Sequence, residues 1–191
     1  MQTHLVTSLQ QYFGYPALQK IDPNTQEVSA GQDHEQFRFG QAIIPTVIVG
    51  IARFLSTEQG MRSFRSGETY PNWGSRIFGR NNIELCKRIA DYSNLRWEEV
   101  TPKMHEVIDR AFWMIRSKGI GNDDELRNFI EHEKNLTLIF LPATLKLGEL
   151  LGNDALDDRT HKMEGPVSSF IKKLGGSFDS AEQKTPDDGK I

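Results

Sequence analysis

The 191-residue chain has a single cysteine, Cys86, so it cannot close an internal disulfide. Its opening residues, Met-Gln-Thr-His-Leu, lack the basic region and apolar run of a secretory signal. Both absences predict a reducing, cytoplasmic setting. The uncharged stretch between Arg38 and Arg53 has 14 residues, short of the roughly 20 that a membrane span requires. Alternating strand patterns are scarce too: Ala42 to Ile51 is rich in β-branched residues, but it holds Pro45 and sits between helical signals.

Motifs with assigned chemistry are also missing. There is no GxxxxGK[ST] loop, and Lys118-Gly119-Ile120-Gly121 lacks the third glycine and the preceding strand of a dinucleotide loop. No Gly-x-Ser-x-Gly elbow occurs. Asn153-Asp154 with Asp157-Asp158 lacks the glycine and final glutamate of a calcium loop. The five histidines, His4, His34, His105, His132 and His161, include no pair at the i, i+4 spacing of two helical metal ligands. No metal site and no cofactor are predicted.

What is present is helical periodicity and enough apolar residues, 37%, for one compact domain. Leu5, Val6, Leu9, Tyr12 and Phe13 make one stripe of a first helix that ends near Gly14. Ile21 to His34 reads as a polar loop. From Phe37 to Leu55 the apolar residues cover most of a helix circumference, as in a buried central helix, where Pro45 either kinks the helix or marks its start. Ser56-Thr57-Glu58-Gln59 reads as a capping box with Ser56 as the cap, opening a short helix that buries Met61 and Phe64.

Gly67, Pro71 and Gly74 mark a turn that delivers Trp73 to the core beside Ile77 and Phe78. Asn81 or Asn82 caps a helix whose inner stripe is Ile83, Leu85, Cys86, Ile89 and Ala90. Thr101-Pro102 starts the next helix, with Met104, Val107, Ile108, Ala111, Phe112 and Ile115 inside, and Gly119 and Gly121 end it. Asn122-Asp123-Asp124-Glu125 opens another that buries Leu126, Phe129 and Ile130. Leu136 to Leu151 reads as a last core helix, bent or broken by Pro142 and ending at Gly152. The predicted fold is all-α, a multihelical orthogonal array of about seven or eight short helices over residues 1–152.

Beyond it, residues 153–165 form a polar linker. Residues 166–176 then specify a short amphipathic helix, with Val167, Phe170, Ile171 and Leu174 on one face. Residues 177–191 are polar and read as a disordered tail.

The core resembles the YidB-like family of small bacterial helical domains of unknown function. The matching pieces are Ile44-Pro45-Thr46-Val47-Ile48-Val49-Gly50-Ile51-Ala52-Arg53, Thr57-Glu58-Gln59-Gly60, Ile77-Phe78-Gly79, Ile89-Ala90 with Ser93-Asn94-Leu95, and the apolar helix around Val107 to Ile115. They span about residues 40–118. Ser66 to Trp73 replaces the glycine-rich middle of that family, and Asn94 stands where glycine is common, a change that asparagine's tolerance of positive φ accommodates. The resemblance implies a multihelical fold and carries over no catalytic residue.

Charge divides the chain into thirds. Residues 1–61 carry a net −2, residues 62–118 a net +4 and residues 119–191 a net −5. The basic set Arg76, Arg80, Lys87 and Arg88, near Trp73 and Phe78, suits phosphates and stacked bases, although the total of −3 is unlike a dedicated DNA-binding domain. His105 and Asp109, four apart on one helix, have the spacing of an oriented base or of an ordinary surface pair. Glu131-His132-Glu133 cannot converge on one atom from consecutive helical positions, and Cys86 reads as a small buried hydrophobe. Three functional readings follow. The preferred one is a non-enzymatic interaction or scaffolding protein with a protein partner, the 166–176 helix being its docking element. The others are a nucleic-acid-associated protein using the basic set, and an enzyme whose dispersed site includes His105 and Asp109.

Overall fold

The structure, a computed structural model, describes residues 3–22, 24–25, 28 and 34–152. The expectations for residues 153–191, including Val167, Phe170, Ile171 and Leu174, lie outside the described residues. Among the described residues eight α-helices follow one another: α1 (Leu5–Phe13), α2 (Glu35–Ser56), α3 (Glu58–Arg65), α4 (Trp73–Phe78), α5 (Asn82–Ser93), α6 (Trp97–Ser117), α7 (Asp123–Thr137) and α8 (Leu147–Leu151). Among the described residues there is no strand, and the fold is all-α and multihelical. Two of the helices are long, α2 with 22 residues and α6 with 21.

The molecule is organised around α2. From Phe39 to Ala52 every residue is buried, and α1, α3, α4, α5, α6 and α7 all pack against it. Its length and mean hydropathy of 1.5 would also suit a membrane span, but 89% of that window is buried by the rest of the fold. Pro45 lies inside the continuous helix and does not mark its start. Lacking an N–H, it leaves the Gln41 carbonyl without its helical donor.

The Gln41 side chain, 0% exposed, is tied three times. Its Oε1 accepts the Gln19 amide at 2.9 Å, and its Nε2 donates to the Gln19 carbonyl at 2.9 Å and to the Phe140 carbonyl at 2.6 Å. These bonds satisfy backbone groups of the segment before α2 and of the turn that follows α7. Beside them the Ile21 amide donates to the Ile139 carbonyl at 2.8 Å.

Several boundaries differ from the sequence reading. Ser56 still belongs to α2 and donates to Arg53 O, so Thr57 is the cap of α3 and accepts the Gly60 amide at 3.0 Å. α6 begins at Trp97, ahead of Thr101-Pro102, because the Glu99 carboxylate accepts the Arg96 amide at 3.1 Å and closes the first turn earlier. Ile83 is 57% exposed, not part of the inner stripe. Asn82 takes that place, at i, i+3, i+4, i+7 with Leu85, Cys86 and Ile89, and packs on Gly74. The expected last helix is divided: 3₁₀ turns at Leu138–Phe140 and Ala143–Leu145 precede the short α8. Pro142 causes the break, holding Leu141 extended and withholding a donor. Lys146 then takes a left-handed φ of 44°. Asn94 closes α5 at φ 58°, the conformation that asparagine tolerates.

Two stability predictions follow from these contacts. Gln41→Leu keeps the volume but leaves three part-buried backbone groups unpaired. It is expected to cost about 2–4 kcal/mol in chemical denaturation; a loss below about 1 kcal/mol would contradict the clip. Gly60→Ala should gain nearly 1 kcal/mol by helix propensity alone. A Cβ there would lie 1.9 Å from the Phe54 carbonyl oxygen, however, so a net loss of about 1–3 kcal/mol is expected.

Candidate functional site

α1 reads Leu-Val-Thr-Ser-Leu-Gln-Gln-Tyr-Phe and carries no charge in its nine residues. Leu5, Val6 and Leu9 face the core, and Gly14 stops the helix at φ 66°. An acid from another helix holds its N-terminus. Glu133 of α7, 4% exposed, accepts the Leu5 amide at 2.7 Å and lies 3.4 Å from His4 Nδ1. A carboxylate at a helix N-terminus is favoured by the helix dipole and satisfies an orphan amide. Glu133, weighed in the sequence only as part of the Glu131-His132-Glu133 triplet, is thus a structural cap.

With α1 held this way, Tyr12 emerges at its far end beside α6. The sequence stripe puts Tyr12 in the core, but it is 55% exposed, and Phe13 is half-buried. Tyr12 lies over Arg110 of α6, whose guanidinium carbon is 3.7 Å from the Tyr12 ring centre and 4.0 Å from that of Trp113. Trp113 is also 55% exposed. The cation therefore contacts two exposed rings, each contact contributing about 0.5–1 kcal/mol. Its Nε is covered and has no hydrogen-bond partner.

Aromatic contacts continue inward from this face. Tyr12 meets Phe13 edge-on at 5.0 Å, Phe13 stacks on Tyr15 at 5.7 Å, and Tyr15 meets Phe39 of α2 at 5.8 Å. Burial, with the nearby Glu106 carboxylate adding to it, pushes the Tyr15 phenol up to about 12. Glu106 and Asp109 are themselves exposed on α6. Among the described residues they have no ion pair with Arg110, although Glu106 is one turn before it.

The residues singled out from sequence are placed as follows. Arg88 is only 20% exposed at its side chain and clamps the 3₁₀ turn before α8: it donates to the Leu145 and Lys146 carbonyls at 3.2 and 3.1 Å and to Glu84 at 3.1 Å. Arg76 lies 4.9 Å over the Tyr70 ring. Arg80 and Lys87 are exposed with Ile83 between them. The four cations therefore do not form one free patch. His105 Nδ1 accepts the Trp73 amide at 3.3 Å, helping to hold α4, while Asp109 is exposed. No hydrogen bond joins His105 to Asp109 among the described residues.

Cys86 is buried, and burial pushes its thiol up, partly offset by a hydrogen bond with Thr101. That environment withholds the thiolate a nucleophile needs. Among the described residues no three of His, Cys, Asp and Glu gather as a metal site. A cleft of about 200 Å³ lies between α2, α7 and α8, lined by Val49, Ala52, Arg53, Ser56, Glu131, Lys134 and Leu151.

The fold and this face define an all-α domain with a charge-free first helix and an exposed aromatic–arginine stack. No family model, curated protein or solved structure matches the chain. Trp113 and Tyr12 escaped the sequence reading as a pair. The available signal was a tryptophan one position beyond a complete buried stripe, on the same helical face as Glu106 and Arg110.

The raised phenol yields a pH prediction. A folded pKa above the ordinary phenol value of 10.0 means that the Tyr15 contribution to stability is complete below pH 10 and is lost as pH rises toward about 12. Stability followed across that range should fall more steeply in the wild-type protein than in Tyr15→Phe. Parallel curves would show that the phenol is not shielded.

Proposed function

We propose that the protein is a non-enzymatic interaction module that associates with a protein partner through the Tyr12–Arg110–Trp113 face. One observation carries the reading: two large aromatic side chains are held half out of the fold in contact with one arginine. Tyrosine, tryptophan and arginine dominate the energetic centres of protein interfaces, where other charges are depleted. The neighbouring α1 has no charge at all. Covering the two rings would remove apolar area that the monomer leaves in water, a gain of about 25 cal/mol per Å².

The segment 166–176, amphipathic by sequence, is a second docking element in this proposal. The single buried Cys86 suits a reducing, cytoplasmic location. The resemblance to YidB-like bacterial domains belongs to the same reading, and the helical core agrees with the multihelical fold that it implies.

Tagged chain recovered from its host tests the proposal. A recurrent bound protein, untagged copies of the chain included, should be retained by the wild type and lost from Tyr12→Ser and Trp113→Ser. Both variants should melt within about 1 kcal/mol of the wild type, because surface changes cost little. Equal recovery with all three proteins would contradict this use of the face.

A further inference from the structure

We propose that the partner on the Tyr12–Arg110–Trp113 face is a second copy of this chain, paired through α6 about a two-fold axis. The inference rests on the reading of that face as a protein contact and goes further in naming its occupant.

Charge carries the argument. Glu106, Asp109, Arg110 and Trp113 fall at i, i+3, i+4 and i+7, one face of α6. Glu106 and Asp109 are exposed, and neither they nor Arg110 has an ion-pair or hydrogen-bond partner among the described residues. Its guanidinium carbon lies 3.7 and 4.0 Å from two ring centres and its Nε is covered without a partner, so its terminal N–H groups are what a partner can reach, and the geometry that suits them is a carboxylate. The carboxylates of its own helix do not supply it.

An occupant that merely covered the rings with apolar side chains would bury all three charges unmatched, which is costly. A second copy brings both signs in the same spacing. With two α6 helices antiparallel and the axis between positions 109 and 110, Asp109 of each copy stands opposite Arg110 of the other. An axis at position 108 sets Glu106 opposite it instead. Either register provides carboxylates to both arginines, and closed two-fold contacts are self-complementary in this way.

Sedimentation equilibrium of the full chain tests this, over concentrations from about 1 to about 200 μM, the range in which modest interfaces dissociate. The mass should climb toward twice that of one chain. Arg110→Glu should weaken association at least about tenfold, and so should the double variant Glu106→Lys/Asp109→Lys, because like charges then meet. Mixing the two variants should restore pairing, an outcome that misfolding of either would not produce. Three outcomes would overturn the proposal: a monomer at every concentration, a dimer indifferent to Arg110→Glu, or two variants that stay apart when mixed. A pure chain that stays monomeric, while its host partner is still lost with Trp113→Ser, would remove the second copy and leave the face as a contact for another protein. A monomer whose host recovery also ignores Trp113→Ser would remove both readings.

Discussion

A helix buried on every side constrains this molecule more than any other feature. α2 presents isoleucine and valine around its circumference, so no single neighbour can cover it, and six other helices are recruited to do so. Its backbone is satisfied internally except where Pro45 removes a donor. The polar group that the core does admit there, Gln41, is fully used on the backbone at Gln19 and Phe140. These bonds fix where the chain before α2 and the chain after α7 run past the helix. α1 is then positioned by that packing and by Glu133, and the position of α1 decides what Tyr12 touches.

The surface stack is thus a consequence of the core. α6 buries Val107, Ile108, Ala111, Phe112 and Ile115, which rotates Arg110 and Trp113 toward the seam with α1. An arginine on a helix surface ordinarily pairs with an acid one turn away. Here the guanidinium is drawn against two rings, and Glu106 and Asp109 are left in solvent. The arrangement sets both the apolar area and the unmatched charges that make the face suited to association, whereas two other polar side chains singled out from the sequence are engaged within the fold. His105 receives the Trp73 amide and Arg88 holds the turn before α8.

Much of the fold was legible because the apolar spacing of α2, α5, α6 and α7 is strong and local. Boundaries were less so where a side chain competes with the backbone. The Glu99 carboxylate moved the start of α6 four residues ahead of the Thr101-Pro102 signal, and Pro142 divided a run whose apolar residues alone suggest one helix. Ile83 gives up its expected place in the inner stripe to Asn82, whose side chain lies against Gly74. The candidate face was the least legible part. Tyr12 and Arg110 are 98 positions apart in sequence, and only the packing of α1 on α6 brings them together. Glu133 was hidden for the same reason, since its partner, the Leu5 amide, lies 128 positions away.

The central claim is that the molecule makes its contact at the α1–α6 seam. A photoreactive side chain placed at Ser117, exposed on α6 one turn beyond Trp113, with a second placed at Lys87 on the exposed stripe of α5, tests this most directly when each is irradiated inside the host, since both leave Tyr12, Arg110 and Trp113 in place. The account predicts a discrete cross-linked product from position 117 and none from position 87. Cross-linking from position 87 alone, or from neither, would contradict it.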